Sequence, residues 1–411
     1  MHRWLLVIGF SWLLASCTKN DIQPSAQIPV SVDSPSLSHP LYAPLDSLAQ
    51  LYVKKGLPGI AICVSNAQGV CQLSAGWADL EHKRPLSLEH SVKTGSITKL
   101  FMGGMTMWLL NEQAQGRLKS TLPLDLQKPL SHYLPAEWIQ GIDNAENCSV
   151  RALMNHQSGI YNLTSNAQFY LDVTNDPFKK RGALELLKYV RGQKAYFDNP
   201  GDGIAYSNTN TLLLSLVLDR VLQDATWSGA GPFIEVPTHG DFMGLFMAEA
   251  GLVGSAYYPH QDLPEKLAQG YFDIYNNHTY TNLTHWITGD GNGYNGLYAT
   301  APDLNRFIRK LMGAELFEQR WLDTMMNWAP GEEYSSKRGL GINLDFGQWP
   351  TGLQAIGHGG RDLAACADAY YLPQSGAYLT FVVNYGGDGN SWVKPVFQEF
   401  ERALIELVAK S

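Results

Sequence analysis

This chain of 411 residues has little charge, little cysteine and no extended basic run, and each shortage removes a class of function. Charged residues make up 17% and hydrophobic residues 45%, which is far from the polar, highly charged composition of a disordered chain. Basic residues number 30 against 38 acidic ones, for a net charge of −8. No long Lys/Arg tract is present to follow a phosphate backbone, so nucleic acid is excluded as a partner. The 11 histidines form no H-E-x-x-H and no pair at helix spacing in a promising context. No metal site is expected, and no cofactor is called for. The apolar stretch from Trp4 to Leu14 is shorter than the roughly 20 residues that a permanent spanning helix needs.

That stretch, preceded by His2 and Arg3 and followed by small residues, has the layout of a signal peptide over residues 1–16. The segment L-A-S-C at Leu14 to Cys17 resembles the lipobox of bacterial lipoproteins, which implies cleavage before Cys17 and its lipidation. Residues 18–40 carry four prolines and five serines without apolar periodicity, so 17–40 is read as an anchor cysteine and a flexible tether. Four cysteines then remain in the body: Cys63, Cys71, Cys148 and Cys366. Export permits disulfides among them, but spacing assigns none. Cys63 and Cys71 flank a hairpin turn. A two-residue loop at Ala67 and Gln68 would set them on opposite faces, and a three-residue loop would set them opposite each other.

From 41 to 411 the pattern is that of one large domain. A helix over Leu41 to Lys55 precedes two strand-like runs around Gly69. Ile97, Leu100, Phe101, Met105, Trp108 and Leu109 recur at steps of three and four up to Gly116, which predicts a helix opening at Ser96. Residues 117–290 mix short helical patterns with Gly, Pro and Asn-rich loops and read as a largely helical insertion. Beyond it come a helix in TAPDLNRFIRKLM, strands in LGINLDF, DAYYLP and AYLTFVVNYG, and a final helix over Pro395 to Lys410. The expected architecture is α+β: an antiparallel sheet from about 41–95 and 330–411, flanked by helices, with the insertion between.

S-x-x-K occurs three times, at Ser16/Lys19, Ser96/Lys99 and Ser391/Lys394. The first spans the predicted cleavage site, and the third has little chain after it to supply partners. Only the middle pair opens an apolar helix, where Lys99 lies one turn along on the same face as Ser96. A lysine whose pKa is lowered by burial or nearby positive charge could take the serine proton, and the Ser96 N–H lies at the positive end of the helix. Taken alone, the pair reads first as a helix cap beside a solvated lysine.

Further segments give the pair a context. Y-S-N stands at Tyr206, Ser207 and Asn208, and H-G-G at His358, Gly359 and Gly360. With Ser96 and Lys99 these resemble, in order, the three motifs of the serine beta-lactamase and penicillin-binding-protein superfamily, specifically the group of class C beta-lactamases, D,D-carboxypeptidases, D-aminopeptidases and esterases. The resemblance covers most of 41–411 and is not traceable from Thr226 to Asp290. Tyr275/Asn277 and Tyr280/Asn282 also spell Y-x-N, but in an Asn-rich loop context.

The resemblance implies a beta-lactamase/transpeptidase-like fold and an acyl-enzyme on Ser96, with Lys99 and Tyr206 as candidates for taking its proton. Tyr206, beside two cations, would pass a proton to the leaving group. Asn208 would bind the substrate acylamide, and His358 would orient Tyr206 or meet a substrate carboxylate. The N–H groups of Ser96 and Arg361, the latter following Gly360, would hold the oxyanion. The Arg361 guanidinium is left with two roles, binding a substrate carboxylate or pairing with Asp362. His156 is expected to be structural. The functional expectation is a D,D-carboxypeptidase or D-amino-acid-specific peptidase of the bacterial envelope, lipid-anchored at the periplasmic face or the cell surface. Its substrate would be a small molecule or a peptide, with peptidoglycan fragments as one source. An esterase or weak beta-lactamase of the same fold is the alternative, and a non-hydrolytic sensor of penicillins or peptidoglycan fragments is the rival from another class.

Overall fold

A computed structural model describes residues 36–229, 237–329, 336–346 and 352–411. The expected signal peptide, Cys17 and most of the tether lie outside these residues. Helix α1 (Tyr42–Lys54) leads into the hairpin β1 (Gly59–Asn66) and β2 (Gly69–Asp79), continued by the short β3 (Arg84–Pro85). The long central helix α2 (Ile97–Ala114) follows. Then come α3 (Ala167–Asn175), α4 (Asn208–Leu222) and α5 (His239–Glu249), separated by loops and shorter turns, and α6 (Ala301–Met312) and α7 (Gln319–Met325). The chain closes with β4 (Lys337–Arg338), β5 (Asn343–Asp345), β6 (Ala355–Arg361), β7 (Cys366–Leu372), β8 (Ala377–Val383) and α8 (Val393–Ala409).

The strands form an antiparallel sheet in the order β4-β5-β6-β7-β8-β1-β2-β3, so β1 from the start of the chain pairs with β8 near its end. This is the α+β arrangement expected from the strand patterns at the two ends. Alternation along β1 assigns the sheet faces: Ile60, Ile62 and Val64 pack with α1 and α8, while Ala61 and Cys63 face α2 and the other helices. The hairpin closes at the Asn66–Gly69 pair, a two-residue loop. Cys63 and Cys71 therefore lie on opposite faces, and all four body cysteines are buried free thiols.

Every residue of α2 from Ile97 to Glu112 is buried. Such a helix, covered all round, is a core element rather than a surface one, and it gives its N-terminus a fixed place against the sheet. Strand β6, which carries His358 to Arg361, was not legible in the sequence because A-I-G-H-G-G-R has neither the alternation nor the β-branched content of a strand. Its partner β7 supplies the pairing instead, from Ile356–Tyr371 to Arg361–Cys366. Among the described residues no helix is long and apolar enough to cross a membrane.

Candidate active site

Ser96 is the residue before α2, with φ −68° and ψ −5°, and its hydroxyl makes no capping bond. The hydroxyl is instead the meeting point of two side chains. Lys99 Nζ lies 2.9 Å from Ser96 Oγ and the Tyr206 hydroxyl 2.8 Å from it. Ser96 and Tyr206 line a cleft of about 480 Å³ together with Asn208, His358, Gly359 and Arg361.

Lys99 is buried and has three acceptors around it: Ser96 Oγ, Asn208 Oδ1 at 2.6 Å and the Tyr294 carbonyl at 3.3 Å. Burial drives its pKa well below the ordinary lysine value. Asp388 opposes that shift, and Arg338 adds to it. In the neutral amine two hydrogens remain, matching Asn208 Oδ1 and Tyr294 O, and the lone pair is then left for the Ser96 hydroxyl. The expected role of Asn208 as a substrate ligand is therefore shared with a second one. Its oxygen holds Lys99, and its nitrogen donates to Thr164 Oγ1 at 2.9 Å.

Tyr206 ends the loop before α4, and the expected structural histidine sets its place. His156, at φ 61°, lies with its ring 4.5 Å from that of Tyr206. Its Nδ1 accepts from Ser207 N at 3.3 Å and from Asn210 Nδ2 at 3.1 Å, which makes it the neutral Nε2–H tautomer. Burial pushes its pKa well below the usual range, in agreement with that tautomer.

His358 is buried, and burial together with the Lys99 charge takes its pKa down to about 3. Its Nδ1 donates to the Gly359 carbonyl at 2.6 Å, so Nε2 is an acceptor. A neutral His358 carries no charge to meet a substrate carboxylate, and its ring centroid lies 6.3 Å from that of Tyr206. Two basic side chains flank the Tyr206 ring, Lys99 Nζ at 5.0 Å and the Arg338 guanidinium at 5.4 Å from its centroid.

The approach of β6 to the start of α2 leaves no room for side chains. A Cβ on Gly360 would lie 1.8 Å from the Thr94 carbonyl and 3.0 Å from Ile97 N. Gly95, at φ +56°, backs directly onto the Arg361 main chain, where a Cβ would lie 2.9 Å from Arg361 N. Asp362 N donates to Ala365 O at 2.9 Å. Antiparallel alternation then turns the Arg361 N–H away from β7, toward the open edge of β6 beyond its last β5 partner, Gly357. This places an N–H donor beside Ser96.

The Arg361 side chain does not pair with Asp362. Its guanidinium is bound by Asp368 at 2.6 Å and Glu401 at 2.7 Å, over the Phe397 ring, and so ties β6 to α8.

Sequence reasoning missed a buried charge network under the cleft. Lys93 Nζ pairs with Asp290 at 2.8 Å and Asp362 at 3.5 Å, and all three groups are buried. Burial alone would lower the Lys93 pKa, but the two carboxylates raise it above the ordinary value. Asp362 Oδ2 also accepts from Thr288 Oγ1 and Asn295 Nδ2, at 3.0 and 2.7 Å. The network thus joins the segment before Ser96, the end of β6 and the glycine-rich turn that presents the Tyr294 carbonyl to Lys99. The glycines of T-G-D-G-N-G-Y-N-G were the available signal: four of them sit at positive φ.

The competing motifs stay outside the cleft. The Tyr280 hydroxyl bonds the Gly56 carbonyl, Tyr275 is exposed, and Ser391 and Lys394 lie at the start of α8. Ser16 and Lys19 are outside the described residues. No group of three or more His, Cys, Asp or Glu among the described residues could hold a metal ion.

Comparison with known proteins places this geometry in context. The Beta-lactamase family model matches residues 45–395. A D-aminopeptidase of Cereibacter sphaeroides (strain KD131 / KCTC 12085) is 26% identical over 177 residues, 43% of this chain and 30% of that protein. The chain matches about 30% of the length of these curated relatives. A D-stereospecific amidohydrolase from Streptomyces sp. superposes with a TM-score of 0.70 at 21% identity, covering 88% of this chain and 98% of the other. The D-amino acid amidase of Ochrobactrum anthropi SV3, complexed with L-phenylalanine amide, gives 0.69 at 21% identity over 89% and 97%. At these identities the two structures establish a shared fold.

Proposed function

We propose that this chain, which belongs to the Beta-lactamase family, is a serine hydrolase that cleaves amides of D-amino acids, free or at the start of a short peptide, through an acyl-enzyme on Ser96. One observation carries the reading: Ser96 Oγ lies within 2.9 Å of both a buried lysine amine and a tyrosine hydroxyl, in an open cleft. Neutral Lys99 accepts the Ser96 proton as Oγ attacks the carbonyl carbon, and the Ser96 and Arg361 N–H groups receive the oxyanion. The Tyr206 hydroxyl, 2.8 Å from Oγ, protonates the departing nitrogen. Water then enters, gives its proton back along the same path, and releases the acid.

The names of the similar proteins support D-amino-acid amides as the substrate class. Neutral His358 supports an amidase over a D,D-carboxypeptidase, since the third motif supplies no cation for a terminal carboxylate. Arg338, lining the cleft beside Tyr206, favours the carboxypeptidase as a second reading. Intact-protein mass spectrometry after a fluorophosphonate and after a penicillin, with Ser96→Ala as control, tests the nucleophile. Release of p-nitroaniline from D- and L-phenylalanine p-nitroanilide, set against D-alanine release from a D-alanyl-D-alanine peptide, sorts the substrates. A single label that the Ser96→Ala variant lacks, with turnover of the D-anilide, is the expected result. Absence of any label would sink the acyl-enzyme, and a stable penicillin adduct without turnover of any amide would make the protein a sensor.

The proposal includes anchoring of the chain in a bacterial envelope through lipidated Cys17, supported by the L-A-S-C segment. Labelled palmitate should enter the chain and be lost in Cys17→Ala. Unlabelled protein in the soluble fraction would overturn the anchor and leave the hydrolase untouched.

A further inference from the structure

Three carboxylates line the cleft, and they differ in what already holds them. Asp345 is buried, with Oδ1 bonded to the Ser336 hydroxyl and Oδ2 to the Tyr370 hydroxyl at 3.0 Å. Asp362 is buried and bound by Thr288, Asn295, Lys93 and the Ala364 N–H. Asp388 alone of the three is an exposed residue, although burial around its carboxyl raises its pKa. Its Oδ2 accepts from the Tyr170 hydroxyl at 2.6 Å, and its Oδ1 has no hydrogen bond among the described residues. The cleft therefore offers one oriented carboxylate with an oxygen open to a ligand.

The position of Asp388 relates it to the reaction. The loop after β8 is seated on the end of β6: Gly387 N and Asp388 N approach the Asp362 carbonyl at 3.1 and 3.4 Å. Asp362 directly follows Arg361, whose N–H points to the open strand edge. A carbonyl carbon attacked by Ser96, with its oxygen toward that N–H, has its α-carbon and α-substituents one bond further along, within the cleft that Asp388 also lines. Asp388 and Ser96 line the same cleft, and the Asp388 charge raises the Lys99 pKa against the effect of burial. The Arg361 guanidinium, which could have neutralised it, is committed to Asp368 and Glu401.

We infer that Asp388, oriented by Tyr170, receives the ammonium of substrates carrying a free α-amino group, so that the cleft selects amino-acid amides and peptides with a free N-terminus over their N-acylated counterparts. Asp388 is the specificity-determining residue, and Tyr170 is a positioning residue that fixes Oδ2 and leaves Oδ1 for the ligand. The inference rests on the reading of Ser96 as nucleophile and deepens it by naming the recognised group. A charge-assisted hydrogen bond of this kind is roughly twice as strong as a neutral one, so its loss is visible in kinetics.

The test compares D-phenylalanine p-nitroanilide with its N-acetyl derivative in the full chain. The wild-type protein should favour the free amine in kcat/KM, and Asp388→Asn should reduce that preference by about tenfold or more, mainly through KM. Tyr170→Phe should reduce it by a smaller factor. The ratio cancels the effect of Asp388 on Lys99, because both substrates meet the same amine. A ratio unchanged in Asp388→Asn, or a wild-type preference for the N-acetyl compound, overturns the inference while fluorophosphonate labelling of Ser96 keeps the acyl-enzyme reading. Should Ser96 not label, calorimetric binding of D-phenylalanine amide still decides. Affinity lost in Asp388→Asn upholds the ammonium site, and equal affinity or no binding by the wild type refutes it.

Discussion

Replacing Gly360 by alanine separates the geometry of the oxyanion donor from the chemistry of the nucleophile. The new Cβ would stand 1.8 Å from the Thr94 carbonyl and 3.0 Å from Ile97 N, both main-chain atoms that cannot rotate out of the way. Ordinary contact begins near 3.4 Å, so β6 and the segment before α2 must part by about 1.6 Å in a close-packed interior. Over-packing of this size costs about 1–3 kcal/mol of stability, and the hairpin pairing to β7 should hold the fold together. The larger effect falls on Arg361 N–H, one residue further along, which moves relative to Ser96 Oγ while Lys99 and Tyr206, carried by α2 and the loop before α4, stay in place. Loss of one oxyanion donor, or a misplacement of about 1 Å, lowers rates by about 10²-fold or more. The assay is the second-order rate of fluorophosphonate labelling, read with the thermal midpoint of the same preparation. The expectation is a fall of at least about 10²-fold with the midpoint lowered by several degrees. A labelling rate within threefold of wild type in a folded variant would refute the placement of the oxyanion donor on β6.

Other consequences can be checked with similar means. The labelling rate should rise with pH to a plateau as Lys99 loses its proton, with a midpoint below 10.5, and His358→Asn should leave that limb in place because His358 is already neutral above about pH 3; a limb that disappears in the variant would assign it to the histidine instead. For stability the sign is fixed by the unfolded chain, where His358 binds a proton below about 6.5 while the folded form stays neutral to about 3. Stability therefore declines as pH falls from 6.5 toward 3, by up to about 1.4 kcal/mol per unit, and urea midpoints of His358→Asn should decline less over that range. Lys93→Met strands two buried carboxylates and should destabilise by about 3–5 kcal/mol, seen as a lower urea midpoint; an unchanged midpoint would mean that the network is not closed in solution. Thiol titration of the native chain should find at most one fast-reacting cysteine, Cys17, because burial raises the thiol pKa values of Cys63 and Cys148 to about 12, of Cys71 to about 11 and of Cys366 further still. Rapid reaction of two or more would contradict the packing around them.

The reach of sequence reasoning differed among the residues of the site. Ser96 and Lys99 were readable because their relation is local: three residues on one helix share a face whatever surrounds them. Tyr206 and His358 were readable only as members of an ordered motif set, since nothing in their own neighbourhoods brings them within reach of Ser96. Lys93, Asp290 and Asp388 carried no such pattern. Each is an ordinary charged residue until the fold buries it or turns it to the cleft, and a lone charge in a sequence is normally a solvated one. Strand β6 was lost for a related reason. Gly360 is required by the approach of the segment before α2, Gly357 and Gly359 by close contacts with β7, and removing side chains also removes the alternation by which strands are recognised.

What the sequence determined by itself was therefore the local and the periodic: the helix that starts at Ser96, the hairpin around Gly69, the terminal helices and the motif order that carried the family. The tertiary structure alone decided the direction of side chains with more than one partner in reach. It turned Arg361 to Asp368 and Glu401, gave Asn208 to Lys99, made His358 a neutral acceptor and put Cys63 and Cys71 on opposite faces. Those outcomes depend on burial and on charges far apart in the chain, since desolvation and Coulomb terms act through space and leave no spacing in the sequence to read.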